Sequence, residues 1–201
     1  MATALRNTAQ GWGWPAKLLH WVVAVLVVGM IALGVVMVDV VQNLDLQYRL
    51  FQLHKSVGLT VLALMLLRIG WRLANPTPAE PGTMRPWEVT AARLTHWAFY
   101  ALLVAMPVTG FLTAASSPLG IPTVLFGVVP VPHLIGPDKE LSETLAFVHE
   151  NLARVLLALL AVHVGAALRH HLLLRDEVLT RMLPESWRGR FDRWRWRRAG
   201  A

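Results

Sequence analysis

The chain has 201 residues, 55% of them hydrophobic and 15% charged, with a formal net charge of +7. A single domain of this length cannot hide that much apolar surface in a water-soluble core, so the composition points to a membrane protein. There is no cysteine, which excludes disulfides, thiolate-held metal centres and C-x-x-C-H attachment of a cofactor, and leaves the histidines as the main candidate metal ligands.

Taken in order, the chain opens without a cleavable signal pattern, because its first apolar run starts late and is long. Residues 18–38 carry no formal charge and are long enough to cross a hydrocarbon core of about 30 Å. Residues 39–53 read as a modest outer loop. Residues 54–73 form a second span, with Lys55, Arg68 and Arg72 near its ends, where long cationic side chains snorkel to the interface. Residues 74–86 are an irregular linker carrying N-P-T-P and E-P-G. Residues 95–115 form an uncharged third span, in which Pro107 is expected to introduce a kink beside Gly110.

Residues 116–144 are the longest outer segment, rich in proline and glycine, and are expected to cap the periplasmic end. Residues 145–174 form a fourth span. Near its start Glu150 precedes Arg154 by four residues, the favourable order for a helical ion pair. The tail, residues 185–201, interleaves tryptophan with arginine. Next to four spans it reads as an anchor on anionic lipid and not as a nucleic-acid binder. The expectation is an all-α, integral membrane four-helix bundle over 1–184, followed by a basic aromatic tail over 185–201.

Arginine and lysine asymmetry sets the orientation. Arg6, Lys17, Arg68, Arg72, Arg85, Arg93 and the arginines from Arg169 onward fall on one side, against Arg49, Lys55 and Lys139 on the other. Both termini are therefore expected in the cytoplasm. Trp12, Trp14, Trp21, Trp71, Trp97 and Tyr100 fall near that cytoplasmic edge, as an interfacial aromatic belt does.

Histidine placement carries the chemistry. His20 and His96 begin the first and third spans at the cytoplasmic side, His54 begins the second at the opposite side, and His149 and His163 share the fourth. An imidazole in lipid needs a partner. The step from His149 to His163 turns a helix through roughly 1400°, about 40° short of whole turns, and rises about 21 Å, so both face one side at two depths. At the outer level His54 is the intramembrane partner available to His149. At the inner level His20 and His96 both remain candidates for His163. Two imidazoles closing both axial positions suit a b-type haem used for electron transfer, whereas zinc gathers four ligands at one point.

Gly58, one turn from His54, would let a macrocycle approach the backbone, and Arg68 lies at inner depth, where it can pair with a haem propionate. His170, with Arg169 and His171, is expected to form a cationic inner surface. His133, in the outer segment, shows no partner in the sequence.

The chain resembles the bacterial cytochrome b561 family across nearly all of residues 15–184. The carriers are L-H-W at His20, L-H-K-S-V-G at His54, R-I-G-W-R-L-A-N-P-T-P from Arg68, T-H-W-A-F-Y with A-M-P-V-T-G-F, V-H-E-N-L-A, V-H-V-G-A-A-L-R-H-H and R-D-E-V-L-T-R-M-L-P. The resemblance implies two haem b groups, His20 and His163 holding the inner iron and His54 and His149 the outer one. It implies a multi-pass protein of the bacterial inner membrane. One kind of family member looks like a superoxide:ubiquinone oxidoreductase, in which case ubiquinone accepts the electrons and Lys55, beside His54, is the residue expected to steer superoxide. The alternative is a haem-b relay subunit of a larger membrane dehydrogenase passing electrons to quinone. A transporter finds no support, since no internal repeat or pair of broken helices is visible.

The orientation is testable directly. A reporter fused after Ala201 should be active only in the cytoplasm and one inserted near Asp138 only in the periplasm; an external C-terminus would overturn the four-span topology.

Overall fold

The computed structural model describes residues 5–9, 11–184 and 187. The expected tail, 185–201, lies outside the described residues apart from Trp187. Four long helices carry the chain: α1, Trp14–Val35; α2, Leu44–Ala74; α3, Pro86–Ser116; and α4, Lys139–Arg169. A π-helical turn extends α1 through Val36–Val40, and another extends α4 through His170–Leu174. All four are long and apolar enough to cross a membrane. Val25, Val28, Leu66, Leu67, Val155, Leu157 and Val162 are each more than half exposed. Apolar side chains turned outward along membrane-length helices have hydrocarbon as their solvent, and the helical backbone satisfies its own polar groups there.

Three helices begin well before the stretches their apolar content marks, which corrects the expected starts at 54, 95 and 145. Each true start is set by a polar cap. The Asn43 side chain accepts the backbone N–H of Leu46 at 2.9 Å, so the segment expected as a loop over 39–53 is largely the first turns of α2. Pro86 opens α3 at the position where its missing N–H costs nothing, and Glu88 reaches back to accept the Arg85 N–H at 2.9 Å. Asp138 accepts the N–H of Leu141 at 3.0 Å and opens α4. Charged residues such as Asp45 and Arg49, which pair at 3.0 Å, end an apolar run without ending a helix.

The chain forms two compact units. One comprises 22–67 and 99–157, the other the described residues of 1–21, 68–98 and 158–201. In the first, Val23 and Val27 of α1, Val61 and Met65 of α2, Leu103 of α3 and Leu156 of α4 form one buried cluster. All four helices therefore meet there as a bundle. Its helices associate by close packing, because lipid removes the usual hydrophobic drive between them.

The outer segment of this unit is more ordered than its proline content suggests. Asp138 donates its N–H to the Ser116 carbonyl at 2.8 Å, which ties its two ends together. Inside it, β1, Thr123–Leu125, pairs antiparallel with β2, Val129–Val131. The hairpin is fastened to α2. Gln52 and Lys55 both donate to the Pro122 carbonyl, at 2.8 and 3.0 Å, and the Phe126 N–H donates to Ser56 Oγ at 2.9 Å. Ser56 and Thr123 are fully buried at this seam.

In the other unit the N-terminal segment is bound to the linker between α2 and α3. Asn7 donates to the Pro76 carbonyl at 3.0 Å and accepts the Gly13 N–H at 2.9 Å. A Cβ on Gly13 would lie 2.5 Å from the Leu5 carbonyl oxygen, so only glycine permits this approach. Beyond α4 the chain turns on Arg175, in the left-handed region at φ 56, and folds back until Trp21 donates to the Met182 carbonyl at 2.8 Å. Trp12, Trp14, Trp21, Trp71 and Trp97 all belong to this unit, while Tyr100 belongs to the first.

Candidate functional site

The histidines singled out in the helices gather at two places, one in each unit. In the bundle unit, His54 of α2 faces His149 of α4 with ring centroids 6.3 Å apart. In the other unit, His163 of α4 lies 6.3 Å from His20 of α1 and 5.8 Å from His96 of α3. Among the described residues no group of three or more His, Cys, Asp or Glu side chains is placed to hold a metal ion. The arrangement suits a metal that brings most of its own ligands and asks the protein for an imidazole on each side.

The orientation of His149 is fixed by α3. Its Nδ1 lies 3.0 Å from the Met106 carbonyl and 3.1 Å from Thr109 Oγ1. A carbonyl only accepts, so Nδ1 carries the proton and Nε2 presents its lone pair. Thr109 donates to the same Met106 carbonyl at 3.0 Å. This carbonyl stands just before Pro107, which α3 accommodates without a break in its helix. Gly110 supplies the space: a Cβ there would sit 3.0 Å from His149 Cε1 and 3.2 Å from Nδ1.

His54 Nδ1 is buried with no hydrogen-bond partner among the described residues. Gly58 faces Met30, whose methyl would be 3.6 Å from an added Cβ. That is ordinary contact, so the protein's own neighbours do not require glycine there.

In the second cluster, Arg68 Nη1 lies 3.2 Å from His20 Nδ1. A guanidinium only donates, so in this arrangement His20 accepts at Nδ1 and carries its proton on Nε2. Arg72 lies over the ring of Trp97, 5.8 Å from its centroid, close enough for a cation–π contact. Lys55, adjacent to His54 in sequence, is held by its bond to Pro122.

Two expectations are corrected here. His170 and His171 do not form an exposed cationic surface: both are buried. The fold-back after Arg175 brings Asp176 onto His170, where its carboxylate meets Nδ1, and Arg169 pairs with Glu88 at 3.0 Å. His133 has partners after all: Thr123 Oγ1 at 3.2 Å and the Phe111 ring at a centroid distance of 6.0 Å. The Glu150–Arg154 pair forms as expected.

Residues 11–185 match the family model described as prokaryotic cytochrome b561. The chain is 32% identical over 180 residues to cytochrome b561 homolog 2 of Escherichia coli (strain K12), covering 90% of this chain and 95% of the relative. It is 32% identical over 167 residues to the probable superoxide oxidase CybB of Yersinia pestis, covering 83% and 92% of the two chains. Cytochrome b561 homolog 1 of Escherichia coli (strain K12) is also 32% identical, over 133 residues, covering 65% and 73%.

The close approach of α3 to His149 gives a stability test. Gly110→Leu should cost about 1–3 kcal/mol, as overpacking does, and lower the melting temperature in detergent. Gly29→Leu, where an added Cβ meets nothing within 4 Å, should leave it unchanged. Equal melting of the two variants would show that the ring does not depend on Gly110.

Proposed function

The chain belongs to the prokaryotic cytochrome b561 family, and on that premise we propose that it holds two b-type haems, one between His54 and His149 and one between His20 and His163. Membership brings a haem-linked role in electron transfer across the membrane. With four membrane-capable helices it makes this a multi-pass protein of the bacterial inner membrane.

The observation that carries the two-haem reading is the repeated spacing. Both pairs stand at 6.3 Å. Imidazole nitrogens bond first-row metals at about 2 Å, so two rings with centroids about 6 Å apart could each reach one iron between them. His96, at 5.8 Å from His163, meets the same distance, and His20 is preferred on the family resemblance. The His149 tautomer supports the reading, because a ring held through Nδ1–H offers Nε2 to a metal. A haem closed by two imidazoles supplies reversible one-electron storage and no open position for substrate.

The chain's own residues then have distinct tasks. Met106 and Thr109 orient His149. Gly58 leaves room beside His54 for a macrocycle. Arg68 lies against His20 Nδ1; with Nε2 of His20 holding a metal, the ring proton would sit on Nδ1, and Arg68 would be available to pair with a haem propionate.

We place both termini in the cytoplasm and the His54 end at the periplasm, on the arginine asymmetry. The substrates we propose are superoxide and ubiquinone, a reading supported by the name of the Yersinia pestis relative. Two superoxide anions each lose one electron and leave as dioxygen; the two electrons and two protons convert one ubiquinone to ubiquinol. Lys55, fixed against the hairpin base, holds a positive charge one residue from His54 and attracts the anion.

The haem count is checked by reduced-minus-oxidised spectra and iron analysis of purified protein. His149→Ala should lose one haem of two and retain the other, and His163→Ala should lose the second in its place. Loss of a haem in His96→Ala but not in His20→Ala would reverse the inner pairing.

The reaction is checked by stopped flow. Superoxide should reduce the oxidised protein, and the rate should fall as salt is raised, since screening acts over about 10 Å at 0.1 M. Lys55→Gln, which keeps a hydrogen-bond donor, should slow that step and flatten its salt dependence without altering reoxidation by ubiquinone. No reduction by superoxide would transfer the assignment to a relay subunit of a dehydrogenase.

A further inference from the structure

Between the first turns of α2 and the hairpin lies a cavity of about 530 Å³, within the size range of small-molecule sites. It is lined on the helix by Tyr48, Arg49 and Leu53, and on the hairpin by Val124 and Phe126. Tyr48 and Arg49 come first on the helix wall, about a turn before Leu53, while Val124 and Phe126 make the hairpin wall apolar. The cavity therefore sets a cation and a hydroxyl at one end against apolar side chains. None of the paired histidines lines this cavity, and it plays no part in the reading above.

Phe126 is the unusual residue. Its φ is 49, and Gly127 follows at 74. Two successive left-handed residues at a hairpin tip favour Asn-Gly, because a bulky side chain is disfavoured in that region. The chain puts phenylalanine there, with 62% of it exposed. So exposed a ring contributes little to the hairpin's own packing. An unfavourable backbone conformation that holds an aromatic ring at the wall of a cavity points to something the ring contacts.

We propose that this groove binds an anionic phospholipid of the surrounding leaflet, its phosphodiester at Arg49 and Tyr48 and one hydrocarbon chain along Leu53, Val124 and Phe126. The helix that forms one wall is long and apolar enough to cross the membrane, and Tyr48 and Arg49 precede its uncharged stretch, the order in which a lipid presents head and chain. Arg49 has Asp45 as its partner at 3.0 Å, but both side chains are more than 70% exposed. A pair so exposed is weak and yields to a phosphate, which takes the guanidinium in two parallel hydrogen bonds. Tyr48 accepts from Gln52 at 3.2 Å, leaving its hydroxyl proton to donate. Lys55, the other cation near this wall, is engaged with Pro122 and belongs to the hairpin's attachment.

The test is native mass spectrometry of the full-length, haem-loaded protein, first stripped of lipid in detergent and then given phosphatidylglycerol in mixed micelles. Inorganic phosphate alone serves as a separate arm. The wild type should retain one phosphatidylglycerol per chain, and phosphate alone should give no adduct. Phe126→Asn keeps a residue suited to the left-handed backbone and removes the ring. It should weaken lipid retention by about tenfold, with an unchanged haem spectrum and an equal or higher melting temperature. Arg49→Gln should weaken retention likewise, and Leu53→Gln supplies an independent variant if either fails to fold. Equal retention by all variants, a phosphate adduct without lipid, or a retained mass that is not a phospholipid would each overturn the assignment. The b-type spectrum, read on the same samples, separates this result from any failure of the haem assignment.

Discussion

An imidazole set among hydrocarbon must have an occupation for each ring nitrogen, because no water is at hand to satisfy it. Much of this structure follows from that requirement. The Met106 carbonyl answers it for one nitrogen of His149, and in doing so it settles which nitrogen faces the other way. The carbonyl also accepts from Thr109, and it lies close to Gly110, which lets the ring reach the backbone. A backbone carbonyl, a threonine and a glycine within little more than one turn thus specify a tautomer on a different helix. His170 meets the same requirement with Asp176, and His133 with Thr123. His54 Nδ1 has no such answer among the described residues, and this histidine is one of those proposed to hold iron.

The spans were legible because an uncharged run of bilayer length is rarely tolerated by a water-soluble fold. The helix ends were not legible from hydropathy, because membrane helices continue into water on amphipathic turns. Their starts at Leu44, Pro86 and Lys139 were written in a different code, the caps Asn43, Arg85-Pro86 with Glu88, and Asp138. That code is local and would have corrected each boundary.

The helix-borne histidines of the candidate site were readable from spacing, since helical phase alone put His149 and His163 on one face. Choosing between His20 and His96 was beyond phase, because both begin helices on the same side. The repeated ring separation is a tertiary quantity with no sequence signature. The fold-back that buries His170 was equally hidden: it depends on a left-handed Arg175, a conformation arginine rarely marks. The hairpin had a faint signal in T-V-L-F-G-V-V-P-V, β-branched runs on either side of a glycine. Phenylalanine at the tip and proline within the second strand argued against it.

The Pro122 carbonyl has two lone pairs, and both are spoken for, one by Gln52 and one by Lys55. Loss of either donor leaves the hairpin still attached by the other. Each position can therefore drift in sequence most easily while its neighbour is retained, because loss of both would leave the Phe126–Ser56 bond to hold the hairpin. The charge beside His54 is lost at least cost to the hairpin in lineages that keep the amide at Gln52. Among relatives of this chain, electrostatic character at that end of the bundle should vary in step with a residue that carries no charge at all.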